Sequence, residues 1–224
     1  VKPRPSIVFL AAGPVAISVG MTLLRLVGEL AHWSERWFTT DTQGVVPSGV
    51  SWLFGITWLA APFGAWFAWK LAAAGSPPPP AGRTLGLSVA AVVVLYGGLR
   101  FLVDLFPLGF PRVLVVIWGI AAAAAGVAFL AWPALARVLL AYGLLSRAAV
   151  ALVMLLAMRG DWGTHYDYVG MPPRFQMPFW PRFLWLALFP QLVFWVAFTV
   201  VLGTLAGSLA AFLLARRRAA APAR

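Results

Sequence analysis

Runs of about twenty apolar residues, separated by proline, glycine and charge, leave this chain few ways to fold. Six such runs occur, at about 7–30, 52–74, 85–106, 113–132, 135–158 and 183–215. A helix of that length matches the ~30 Å hydrocarbon core of a bilayer. Lipid offers backbone groups no hydrogen bonds, so a spanning segment has to be helical or part of a closed barrel. Barrel strands alternate apolar and polar residues, and the run from Val113 to Leu130 does not. Charged residues are 10% of the chain, against about 25% in soluble domains, too few for a water-facing surface. The expected fold is all-α. It is a polytopic integral membrane protein, a bundle of about six transmembrane helices forming one domain over 1–224, with an ordered outer loop at 159–181.

The connections carry their own signals. Lys2 and Arg4 precede the first run, which is long and lacks a small-residue cleavage site, so it reads as a helix rather than a leader. Pro77, Pro78, Pro79 and Pro80 make a stiff extended link after the second run. Pro190 is expected to kink the last helix. No internal repeat relates the two halves, which argues against an inverted-repeat transporter.

Orientation follows from basic residues at span ends. One side holds Lys2, Arg4, Lys70, Arg83, Arg137 and the terminal Arg216, Arg217, Arg218 and Arg224; the other holds Arg36, Arg112, Arg159, Arg174 and Arg182. The positive-inside bias places both termini in the cytoplasm. All six acids, Glu29, Glu35, Asp41, Asp104, Asp161 and Asp167, then fall toward the outer side with both histidines. The formal net charge of +11 is explained by helix ends and anionic headgroups. No basic stripe interleaved with aromatics supports nucleic-acid binding. Cysteine is absent, which excludes disulfides and thiol chemistry. Abundant Ala, and Arg in place of Lys, suit a GC-rich bacterial genome and hence a bacterial cytoplasmic membrane.

Charge inside the spans marks the candidate site. On helix 1, Arg25, Glu29, His32 and Arg36 are spaced four, three and four apart and form one polar stripe. Arg100 and Asp104 repeat the four-residue spacing on helix 3. Arg147 lies near the centre of helix 5, which has no acid. With Arg25 and Arg100 neutralised by Glu29 and Asp104, Arg147 is left with surplus charge in an outward-opening pocket between helices 1, 3 and 5. A guanidinium recognises carboxylates and phosphates, so the expected ligand is anionic. The competing reading pairs Arg147 with Asp104 or Glu29 as a structural lock.

The outer loop holds Asp161, Trp162, His165, Tyr166, Asp167 and Tyr168, followed by the apolar Met171, Phe175, Met177, Phe179 and Trp180 among prolines. Glu29, His32, Asp161, His165 and Asp167 are of metal-ligating type, and His32 and His165 suit a haem. No ligand-spacing signature accompanies them, so neither a metal nor any other cofactor is expected. The apolar part of the loop should cover the bundle mouth, rest on headgroups, or meet a partner in a membrane complex. Gly203 and Gly207 form a GxxxG pair suited to close helix packing.

No Walker, Rossmann or nucleophile-elbow pattern is present. The expected function is binding or transport of an anionic or amphipathic small molecule, among them lipid headgroups. Its candidate residues are Arg25, Glu29, His32, Arg100, Asp104, Arg147, Asp161 and His165. Two alternatives stand beside it. One is a membrane-embedded enzyme acting on a lipid-linked substrate at the outer leaflet, with His32 or His165 as base. The other is a non-catalytic subunit of a larger membrane complex.

Overall fold

The computed structural model describes residues 6–40, 50–105, 108–168 and 176–220, without the side chains of 103–105 and 217–220. Asp41, the Asp104 side chain, Pro107 and the start of the apolar outer loop, with Met171, Arg174 and Phe175, lie outside the described residues. The helices are α1 (Ile7–Leu30), α2 (Ala60–Ala73), α3 (Ala81–Leu105), α4 (Arg112–Ala131), α5 (Pro133–Gly160), α6 (Phe179–Arg182) and α7 (Val196–Ala220). Two π-helical stretches, Phe183–Leu188 and Pro190–Trp195, join α6 to α7 in one rod. The fold is all-α, with no strand among the described residues. Five helices are long and apolar enough to cross a membrane: Ile7–Leu30, Ala81–Leu102, Arg112–Ala131, Pro133–Gly160 and Phe179–Arg216.

The run at 52–74 departs from expectation, because it is not one helix. A 3₁₀ turn, Ser51–Phe54, leads through irregular backbone into α2, which has only 14 residues. At 1.5 Å per residue α2 is about 21 Å long. Pro62 gives the reason. A continuous helix would need its N–H to bond the Trp58 carbonyl, and proline has none. Starting the helix at Ala60 instead puts Pro62 in the first turn, where a missing donor costs nothing.

Contacts fix the helix directions. Ser18 of α1 bonds Tyr142 of α5 at 2.8 Å, and Glu29 near the end of α1 bonds His165 just past α5, so these helices run parallel. Gly64 of α2 meets Gly203 of α7, and Gly207 meets Ala68, so these too run parallel. The ends of α1 and α5 and the start of the α6–α7 rod therefore share one end of the bundle, termed here the cap end.

The α7 helix is the hub, packing on α2, α3, α4 and α5, while α3 also pairs closely with α4. Ala121, Ala124, Ala128 and Ala131 form the buried stripe of α4, at helical spacing. Leu135, Leu139, Tyr142, Phe67, Val200 and Val201 fill the space around it. Hydroxyl pairs join helices that apolar contact alone would leave free to slide: Ser88 with Ser208 at 2.8 Å, besides Ser18 with Tyr142.

The GxxxG pair is used within the chain. A Cβ on Gly64 would overlap the backbone of Gly203, and one on Gly207 would press on the Gly64 carbonyl and Ala68. Gly64→Leu is accordingly expected to lower stability by about 1–3 kcal/mol through overpacking. Gly13, also helical, has nothing within 4 Å of a built Cβ, so Gly13→Ala is expected to be neutral or slightly stabilising. Melting in detergent compares the two, and an unchanged Gly64→Leu would remove this packing account.

Candidate functional site

A partly open cavity of about 500 Å³ lies below the cap end, walled by α1, the irregular segment before α2, α5, the turn after α5, and the α6–α7 rod. The unwound chain is what makes room. Phe38 lies over Gly28 of α1 and against Phe54, with ring centroids 4.5 Å apart, which pins the 3₁₀ turn to α1. Gly55 follows, and a Cβ there would sit 3.9 Å from Arg25 Nη1. Backbone without regular hydrogen bonds is stable in a bundle of this kind where it is buried in protein or lines a wet cavity.

Arg25 and Arg147 face this cavity, each 5% exposed. Arg25 donates its Nε–H to Glu29 Oε1 at 2.8 Å, the pairing expected from the four-residue spacing. Its Nη2 is buried and has no hydrogen-bond partner among the described residues. Arg147 donates to Gln191 Oε1 at 3.3 Å and Thr57 Oγ1 at 3.0 Å, and stacks over Trp195 at 5.0 Å from the ring centroid. These partners are all neutral. No carboxylate reaches Arg147 among the described residues.

Glu29 is 2% exposed and gathers three donors from two segments. Besides Arg25, it accepts the backbone N–H of His165 at 2.9 Å and the His165 Nδ1–H at 2.8 Å. His165 is thereby held in the tautomer that leaves Nε2 without a proton. Burial pulls its pKa below the usual histidine value, and the positive charge of Arg25 adds to the effect against the pull of Glu29 and Asp167. With His165 neutral, Glu29 balances Arg25, and Arg147 has no carboxylate beside it among the described residues.

The turn after α5 is built to present His165. Asp167 accepts from the N–H groups of Gly163 and Thr164 and from the Thr164 hydroxyl, at 2.8, 2.7 and 3.0 Å. Tyr166 donates to the Thr22 carbonyl at 3.1 Å, and burial raises its pKa. Tyr168 reaches the rod and donates to the Leu186 carbonyl, at a depth where burial pushes its pKa up to about 12. An α-helix would satisfy that carbonyl with the N–H of residue 190, which is proline. The tyrosine supplies the donor that the proline lacks, and the chain passes Pro190 through π-helical turns.

The other expected site residues fall elsewhere. α1 ends at Leu30, and His32 has φ 49° beyond it, so His32 and Arg36 leave the stripe and are exposed. Asp161 caps the end of α5 in a left-handed conformation and is exposed. α3 packs on α4 and α7 rather than on α1 and α5, which places Arg100, itself exposed, outside the cavity walls. The site expected between helices 1, 3 and 5 is thus formed by α1, α5, the unwound segment and the rod. Among the described residues no three His, Asp or Glu side chains gather as a metal site.

Thr57, Gln191 and Trp195 were not legible as site residues. A signal existed in the two prolines, since apolar runs interrupted by proline or glycine are where membrane bundles place their binding sites. Pro62 and Pro190 interrupt the two runs that supply these three residues.

No family model matches the sequence, and no curated protein or solved structure matches it.

Proposed function

We propose that the chain is a multi-pass protein of a bacterial cytoplasmic membrane, both termini inside, and that its cavity binds or transports an anionic small molecule on the outer side. Arg25 carries this reading. Its guanidinium lines the cavity, and its Nη2 is buried with no hydrogen-bond partner among the described residues, a state that is costly for a charged donor unless it finds one. Arg147, held by neutral groups, supplies the second guanidinium. Large apolar residues on the outside of the long helices, among them Phe9 on α1, Phe101 on α3 and Leu152 on α5, suit contact with lipid. The segment 50–73 would then cross as an unwound stretch followed by the half-length α2, the sixth crossing.

Single cysteines test the orientation, since the chain has none of its own. Thr164 is fully buried and unsuitable, so the exposed Gln176 is the outer probe and Ala220 the inner one. Gln176→Cys should react with a membrane-impermeant maleimide in intact cells, and Ala220→Cys only after permeabilisation. The reverse pattern would turn the cavity to the cytoplasm and overturn the outer-side reading.

A further inference from the structure

The walls of the cavity differ in chemistry. Arg25 and His165 lie at the cap end, with Arg147 and Thr57 alongside. From Arg147 one wall continues along the rod as Trp195, Phe198 and Leu202. Their spacing of three and four puts them on one helical face, about 10 Å long. All three are partly exposed, and the cavity they line is partly open. They also bracket the middle of the 38-residue apolar helix Phe179–Arg216. In a membrane that level is hydrocarbon, where an aromatic and aliphatic wall suits an acyl chain better than a water-borne ion.

We infer that the ligand is a monoanionic lipid taken sideways from the outer leaflet, its charged headgroup between Arg25 and Arg147 and an aliphatic chain along Trp195, Phe198 and Leu202. This rests on the anion-site reading above and specifies its substrate class. The charge fits one negative headgroup, because Arg25 is paired with Glu29 while Arg147 meets only neutral partners among the described residues. The room matches as well, since about 500 Å³ lies in the range of ligand cavities and takes a headgroup with part of one chain. A fatty carboxylate and a phosphodiester headgroup share the required chemistry: one negative charge over two oxygens, joined to a chain.

The test uses the full chain in phosphatidylcholine nanodiscs, titrated calorimetrically with acetate, hexanoate, decanoate and inorganic phosphate, with empty discs subtracted. Affinity should rise about three- to fourfold for each added methylene until the slot is filled. Leu202→Trp should flatten that dependence. If Leu202→Trp does not fold, Phe198→Ser must lower decanoate affinity at least tenfold. Discs containing phosphatidylglycerol separate the two sources: weakened decanoate binding identifies the phosphodiester lipid, and unchanged binding the fatty carboxylate, the tail being required in both. Acetate or phosphate binding as tightly as decanoate would overturn the lipid inference and leave the anion site standing. No binding of any probe would overturn both.

Discussion

Arg147→Gln is expected to melt at or above the temperature of the parent protein while lowering anion affinity by about ten- to a hundredfold. The first half follows from its partners. Removing one member of a buried ion pair typically costs about 3–5 kcal/mol because a charge is stranded. Arg147 strands none, since Gln191, Thr57 and Trp195 are neutral and Glu29 is held by Arg25 and His165. Glutamine also keeps a donor for Thr57 and gives up a desolvated charge. The second half follows from the strength of a hydrogen bond to a charged group, about 1.5–3 kcal/mol. Thermal unfolding with and without a panel of acetate, phosphate and decanoate measures both. A large fall in melting temperature, restored when Glu29 or Asp104 is also neutralised, would make Arg147 a structural lock and sink the site.

Glu29→Gln should behave in the opposite way, with a loss of about 3–5 kcal/mol of stability. The substitution leaves Arg25 buried without a counter-charge and weakens the bonds that hold His165 to α1. Adding Arg25→Gln should recover part of the loss, because the two neutral amides can bond each other one helical turn apart. Hydrogen exchange at 163–168 provides an independent reading. Protection there should fall in Glu29→Gln, since the His165 N–H loses its carboxylate acceptor. A wild-type melting curve together with full protection would show that the Arg25–Glu29–His165 cluster does not hold the cap end.

The two substitutions separate what could be read from residue order from what needed the fold. Uninterrupted apolar runs translate directly into helices: the runs at 7–30, 113–132 and 135–158 appear as Ile7–Leu30, Arg112–Ala131 and Pro133–Gly160. The Arg25–Glu29 pair was legible for the same reason, being local to one helix. Hydropathy averages over a window, and so hides the place where Pro62 and Gly55 replace helix with irregular chain. Helical period puts His32 in the stripe, yet α1 stops two residues before it. Neighbour relations between helices are absent from periodicity altogether. That α3 packs on α4 and α7, taking Arg100 away from Arg25, depends on the alanine stripe and glycine contacts of partners far along the chain. Arg147 was legible as a charge without an acid on its own helix; its neutral partners belong to segments 44 and 90 residues away.

The glycine contact between α2 and α7 has a mechanical consequence. Two helices whose backbones touch at Gly64, Gly203 and Gly207 cannot roll or slide without collision, so the α7 wall of the cavity is backed by one stiff body. α1 is attached differently: it packs substantially on α5 and, lightly, on the 3₁₀ turn, and its polar ties gather at Ser18, Thr22 and the Glu29 cluster. If the cavity serves as proposed, α1 is the door by which it would widen beyond its existing opening, with α5 as its hinge post and the Glu29–His165 bonds as the latch. A charge that enters beside Arg25 arrives at the latch itself, so loading the site and releasing the door are acts on the same few atoms.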